Sequence, residues 1–131
     1  MIRIPSPLPE EVENQVEAVI ACGLRVHRAL GPGFVETVYR NSFCLELQQN
    51  DIPFECEKSI VVRYRQVAVG VHRLDLLVDR AIVVELKAVA CLEAAHNAQV
   101  LSYLKATGLR VGLLMNFGGA TLRSGLRRFV L

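Results

Sequence analysis

Apolar residues recur at helical spacing along the first thirty positions: Val12, Val16, Val19, Ile20, Gly23, Val26 and Leu30 share one stripe. Pro9 suits a first helical turn, where its fixed φ and missing N–H cost nothing. Glu10, Glu11 and Glu13 lie at the positive end of the helix dipole. A helix is therefore predicted from about Pro9-Glu10, ending at Gly31-Pro32-Gly33. Pro5, Pro7 and Pro9 predict an extended tail over residues 1–9. A second helix is predicted from about Phe34 to Asn50, with Val35, Val38, Phe43, Leu45 and Leu47 facing the core. Asp51-Ile52-Pro53 breaks it.

The period then changes to two. Phe54, Cys56, Ile60, Val62 and Tyr64 occupy even positions and Glu55, Glu57 and Arg63 odd ones, which predicts a strand. Shorter strands are predicted at about Ala68–His72, Leu74–Val78 and Ile82–Lys87. A third helix is expected over residues 92 to 107, stopped by Gly108, and an apolar strand at Val111–Asn116. An edge strand at Leu126–Leu131 completes the order α-α-β-β-β-β-α-β-β. This is an α/β (α+β) sandwich with a mixed central sheet flanked by helices.

With 131 residues, 52% of them apolar, the chain is expected to form one domain, residues 1–131. It has no repeat, linker or low-complexity tract. No apolar run approaches the ~18–20 residues that span a bilayer, and the N-terminus lacks the apolar stretch of a signal peptide. The expectation is a cytoplasmic protein with no membrane partner. Cys22, Cys44, Cys56 and Cys91 form no C-x-x-C pair and have no histidine at zinc-ligand spacing, so they are expected to be reduced, buried hydrophobes. His27 and His96 read as packing or capping residues. Net charge is +2, unevenly spread. Residues 1–60 carry nine acids and five bases, net −4, and residues 61–131 four acids and ten bases, net +6. A basic second half can follow a phosphate backbone, although ordinary solvated arginines give the same pattern.

The informative stretch runs from His72 to Lys87. Asp79-Arg80 marks a tight turn, so the flanking strands should form an antiparallel hairpin that sets Asp75 opposite Val84 or Glu85. Glu85 and Lys87 are two apart and share a face. Charged groups among Val, Ile and Leu are costly to bury unless paired or bound to metal. Two carboxylates and a lysine point to a divalent cation such as Mg²⁺, which activates water and screens developing charge, with Lys87 assisting. The competing reading is an ion pair that braces the hairpin. Glu36 and Tyr39 lie three apart on one helix face, although a solvent-facing glutamate and a core tyrosine share that spacing. Gln99 and Tyr103 are spaced i, i+4 on the third helix. Gln99 suits a phosphate or a metal-held water as well as a plain polar surface.

Gly33-Phe34-Val35-Glu36-Thr37-Val38-Tyr39 resembles the motif of the GxxExxY proteins, a small family within the PD-(D/E)XK nuclease superfamily. The resemblance extends over residues 26–33, Asp75, Glu85-x-Lys87, residues 99–104 and residues 112–117. It covers about residues 13 to 129, although Leu74 stands where the superfamily's name has proline. It implies a restriction-endonuclease-like αβββαβ core with Mg²⁺ or Mn²⁺ held by Asp75, Glu85, the Leu86 carbonyl and Glu36. It also implies that Lys87 is the signature lysine and that Gln99 and Tyr103 are the helix glutamine and tyrosine of exonuclease-like branches. The expected activity is phosphodiester hydrolysis of nucleic acid, DNA before RNA, with Asp75, Glu85, Lys87, Glu36 and Gln99 catalytic. Tyr39, Arg73, Tyr103 and Lys105 are the expected nucleic-acid contacts. The alternatives are a non-catalytic nucleic-acid-binding module and a self-assembling one, and a homodimer is compatible with either.

Overall fold

A computed structural model of the chain describes residues 6–131; of the extended tail expected over residues 1–9, residues 1–5 lie outside them. The first helix, α1, spans Glu10–Leu30 and the second, α2, spans Glu36–Gln49. Three strands follow, β1 (Phe54–Tyr64), β2 (Val67–Val78) and β3 (Ile82–Lys87). Helix α3 (Ala94–Thr107) leads to β4 (Val111–Asn116), and a single 3₁₀ turn leads to β5 (Leu126–Val130). The two short strands expected at 68–72 and 74–78 are one continuous strand, β2. No helix among the described residues is long and apolar enough to cross a membrane.

The sheet order is β1-β2-β3-β4-β5, with β3 and β4 parallel and every other neighbouring pair antiparallel. A parallel pair needs a long crossover, and α3 supplies it. Helices α1 and α2 cover one face: Val16, Val19, Val26, Phe43 and Leu47 pack with Leu76, Val84, Leu86, Leu113 and Met115. Helix α3 covers the other, where Tyr103 and Leu104 meet Leu74 and Val83, and Val100 meets Leu114. The C-terminal end of β3 thus lies between helices on both faces.

Helix α1 has acids in its first turn and His27 and Arg28 in its last, matching the dipole at both ends. Gly31 closes it in the left-handed region (φ 67°), its N–H bonded to the His27 carbonyl at 2.8 Å. Gly33 at φ 116° turns the chain into α2, a conformation unfavourable for any side chain with a Cβ. Tyr39, one turn into α2, donates its hydroxyl to the Gly31 carbonyl (2.5 Å) and accepts the Phe34 N–H (3.2 Å). Its ring stacks on Phe117, centroids 4.7 Å apart. The Gly33–Glu36–Tyr39 spacing therefore has a mechanical meaning. The glycine permits the turn, the buried tyrosine pins it, and the glutamate opens the helix.

Two core assignments are corrected. Val35 and Leu45 are exposed, at 68% and 54%, whereas Tyr39 is wholly buried. Helix α2 has apolar residues on several sides, so spacing alone does not choose which stripe meets the sheet.

Candidate active site

Strands β2 and β3 are joined by a tight turn in which Asp79 (φ 53°) and Arg80 (φ 56°) are both left-handed, and the Ala81 N–H bonds the Val78 carbonyl. That geometry matches the right-handed twist of a hairpin. Gln15 of α1 donates to the Asp79 carboxylate and ties the turn to the helix layer. The register runs Val78↔Ile82, Leu77↔Val83 and Leu76↔Val84. One further step sets Asp75 opposite Glu85, which decides between the two registers open in the sequence.

The regular ladder stops there. Asp75 is missing from the pairing with β1 as well as with β3, and its β1 counterpart, Glu57, has a left-handed backbone (φ 50°). On one side of this step Leu76 packs under α1 and α2; on the other, Leu74 packs under α3. The in–out alternation of the strand shifts phase at Asp75. Its side chain takes over the lost ladder bond, Oδ2 accepting the Leu86 N–H at 2.8 Å.

Glu85 is 3% exposed, and its Oε2 has no hydrogen-bond partner. Burial, then a hydrogen bond and charge repulsion from Asp75, push its carboxyl up to about 10, with Glu36 adding and Lys87 opposing. At neutral pH the metal-free Glu85 carboxyl therefore keeps its proton. Glu36 is raised as well, first by burial and then by Asp75, against Lys87 and Arg40. Four charged residues from α2, β2 and β3 therefore act on one another in one place. Lys87 forms no ion pair with either carboxylate, so the bracing salt bridge is not made among the described residues.

From the opposite layer, Tyr103 is raised by burial and by the charges of Glu85 and Asp75. Gln99 Nε2 donates to its hydroxyl at 2.9 Å, and the His72 ring lies 5.9 Å away. The i, i+4 spacing thus becomes a hydrogen-bonded unit facing the carboxylates. Two expected nucleic-acid contacts are corrected. Tyr39 is enclosed in the core, with its hydroxyl committed to the Gly31–Phe34 turn. Tyr103 is 5% exposed, so its ring is closed to base stacking. Arg73 and Lys105 are exposed, Arg73 with Glu57 at 3.5 Å.

Two positioning residues were not singled out from the sequence. Asn116 is buried at the end of β4, opposite Lys87. Its Oδ1 accepts the N–H groups of Val89 and Gly118, both at 3.0 Å, and its Nδ2 donates to the Val89 carbonyl at 2.9 Å. With Phe117 N–H on the Lys87 carbonyl (2.8 Å), this clamps the exit of β3. An asparagine closing an otherwise apolar strand was the available signal. Arg40, four residues after Glu36 on α2, pairs with Glu57 at 3.2 Å and lowers the Glu36 carboxyl; the i, i+4 spacing was legible. His27 and His96 have the packing and capping roles expected. His27 Nε2 lies 2.9 Å from the Gly119 carbonyl, and His96 Nδ1 accepts the Glu93 N–H at 2.9 Å.

A buried carboxylate oxygen without a donor is costly, and a hard divalent cation is one group that would complete it. Asp75 and Glu85 fit such an ion. Among the described residues no three His, Cys, Asp or Glu side chains converge to hold one by themselves. The remaining ligands would be a carbonyl, water and phosphate, the usual surroundings of Mg²⁺.

A mixed sheet that brings Asp, Glu and Lys to the end of a β-hairpin, under helices on both faces, is the architecture of a nuclease-type domain. The chain belongs to the PD-(D/E)XK nuclease superfamily, whose family model matches residues 13–129. No curated protein and no solved structure matches the chain. Membership implies nuclease chemistry on a nucleic acid, generally supported by divalent metal.

Proposed function

We propose that the protein is a Mg²⁺- or Mn²⁺-dependent nuclease of the GxxExxY type, cleaving phosphodiester bonds in DNA in preference to RNA. The observation that carries this reading is the Asp75–Glu85 contact. Two carboxyls meet at the end of a hairpin, one oxygen is buried without a partner, and a lysine on the same strand has no acidic partner. Asp75 and Glu85 would hold the cation with the Leu86 carbonyl, and Glu36 would reach it through water. Bound there, the ion supplies Lewis acidity toward a phosphoryl oxygen and lowers the pKa of water.

The chain's own groups do the rest. Lys87 orients the attacking water and offsets charge on the phosphate. Gln99, oriented by Tyr103, donates to a phosphate oxygen. Arg73 and Lys105 hold the backbone without reading sequence. Val61, Tyr64, Val67, Val69 and Val71 leave an exposed apolar strip on the outer β1–β2 arm, which supports a homodimer. That no three His, Cys, Asp or Glu side chains converge among the described residues favours a second reading, a nucleic-acid-binding module that keeps the fold without cleaving.

Purified protein incubated with single- and double-stranded DNA and with RNA, plus Mg²⁺ or Mn²⁺, separates the two. Cleavage lost on chelation and in Asp75→Asn supports the nuclease. Salt-sensitive binding without metal-dependent cleavage supports the module.

A further inference from the structure

The four cysteines are far apart in sequence, but the fold brings two of them into contact. Cys44 lies on α2 and Cys56 near the start of β1, 12 residues on, and their Sγ atoms approach to 2.8 Å. That is closer than sulfur–sulfur van der Waals contact and longer than the ~2.05 Å of a disulfide bond. Cys56 is exposed and Cys44 half-buried, so the expectation that all the cysteines are buried is corrected here and at exposed Cys91.

We infer that Cys44 and Cys56 form a reversible intramolecular disulfide when the protein meets a peroxide. The exposed Cys56 sulfur, as thiolate, attacks one peroxide oxygen. The O–O bond breaks, the leaving oxygen takes up a proton to become water, and Cys56 becomes a sulfenic acid. The Cys44 sulfur then attacks the Cys56 sulfur, the S–O bond breaks, and a second water leaves. Two thiols and one hydrogen peroxide become one disulfide and two waters, with two electrons passing from sulfur to oxygen. Burial and the Cys56 contact push the Cys44 thiol up to about 12, which leaves the first attack on peroxide to the exposed Cys56. The bond would join α2, which opens with Glu36, to β1 just before Glu57. Oxidation would thus stiffen the seat of the helix that faces the carboxylates.

The test is treatment of the reduced full chain with a small excess of hydrogen peroxide, then alkylation in denaturant and mass analysis. Two of the four thiols should be lost, peptides containing Cys44 and Cys56 should be joined, and dithiothreitol should restore all four. The oxidised form should melt several degrees higher. In Cys44→Ser, Cys56 should instead accumulate as a sulfenic acid trapped by a 1,3-diketone. If that variant does not fold, the wild-type peptide map still decides. Four surviving thiols, overoxidation of Cys56 in the wild type, or a bridge through Cys22, Cys91 or a second molecule would each overturn the inference.

Discussion

Asp75 and Leu86 are joined by a hydrogen bond from the Leu86 N–H to the Asp75 carboxylate, 2.8 Å long, at the point where the β2–β3 ladder ends. One carboxylate therefore both continues the sheet and faces Glu85, and substitutions can separate the two roles. Asp75→Asn keeps an acceptor for the Leu86 N–H and should hold stability to within about 1 kcal/mol. Asp75→Ala leaves that donor unsatisfied and should cost about 1–3 kcal/mol in urea unfolding. Both should abolish metal-dependent cleavage.

Glu85 makes metal-free stability depend on pH. Its folded-state value of about 10 lies above the ~4.3 of an unfolded chain, so the folded state holds the extra proton between those values. Stability should be fully present below about pH 4 with respect to this group and fall as pH rises toward 10. In chelator, Glu85→Gln should melt higher than wild type at pH 8 and show a flatter pH profile. An unchanged profile in Glu85→Gln would remove the carboxyl pair as its cause.

Metal should reverse that penalty by taking the proton's place. Mn²⁺ at a hundred times its dissociation constant should add about 2.7 kcal/mol to wild-type stability. Binding should release protons and tighten with pH, measured by titration calorimetry in buffers of different ionisation enthalpy. Asp75→Asn should lose both effects.

Lys87 is held by its strand and the Asn116 clamp rather than by an ion pair. Lys87→Ala should lower turnover about 10²–10³-fold, the loss typical of one electrostatic contact to the reacting group. Its melting temperature should stay close to wild type. A parallel fall in stability would point to a bracing role instead.

Tyr39→Phe tests the buried hydroxyl. Losing the partner of the Gly31 carbonyl and the Phe34 N–H should cost about 1–3 kcal/mol. Nucleic-acid affinity should change little, whereas Arg73→Ala should weaken binding and reduce its salt dependence by roughly one phosphate contact.

Much of this was open to reading in one dimension. The stripe from Val16 to Val26, the strands at 82–87 and 111–116, and the charged residues among Leu, Val and Ile follow from local periodicity and the cost of burying charge. Asp79-Arg80 announced a hairpin, because a tight turn between two apolar runs leaves few other paths. These features depend on neighbours within a few residues, so the order of amino acids carries them.

What needed three dimensions was the choice among faces and the meeting of distant side chains. Neither Val84 nor Glu85 was favoured as the partner of Asp75 until the turn set the register. The strands expected at 68–72 and 74–78 are one strand, whose alternation shifts phase at Asp75 so that Leu74 meets the α3 layer and Leu76 the α1–α2 layer. Tyr39 proved structural because α2, apolar on several sides, is oriented only by the sheet beneath it. Asp75, Glu85 and Lys87 were already visible as a sequence; that the two carboxylates confront each other while the lysine forms no ion pair was decided by packing. Electrostatic coupling depends on separation in space, and separation along the chain does not determine it.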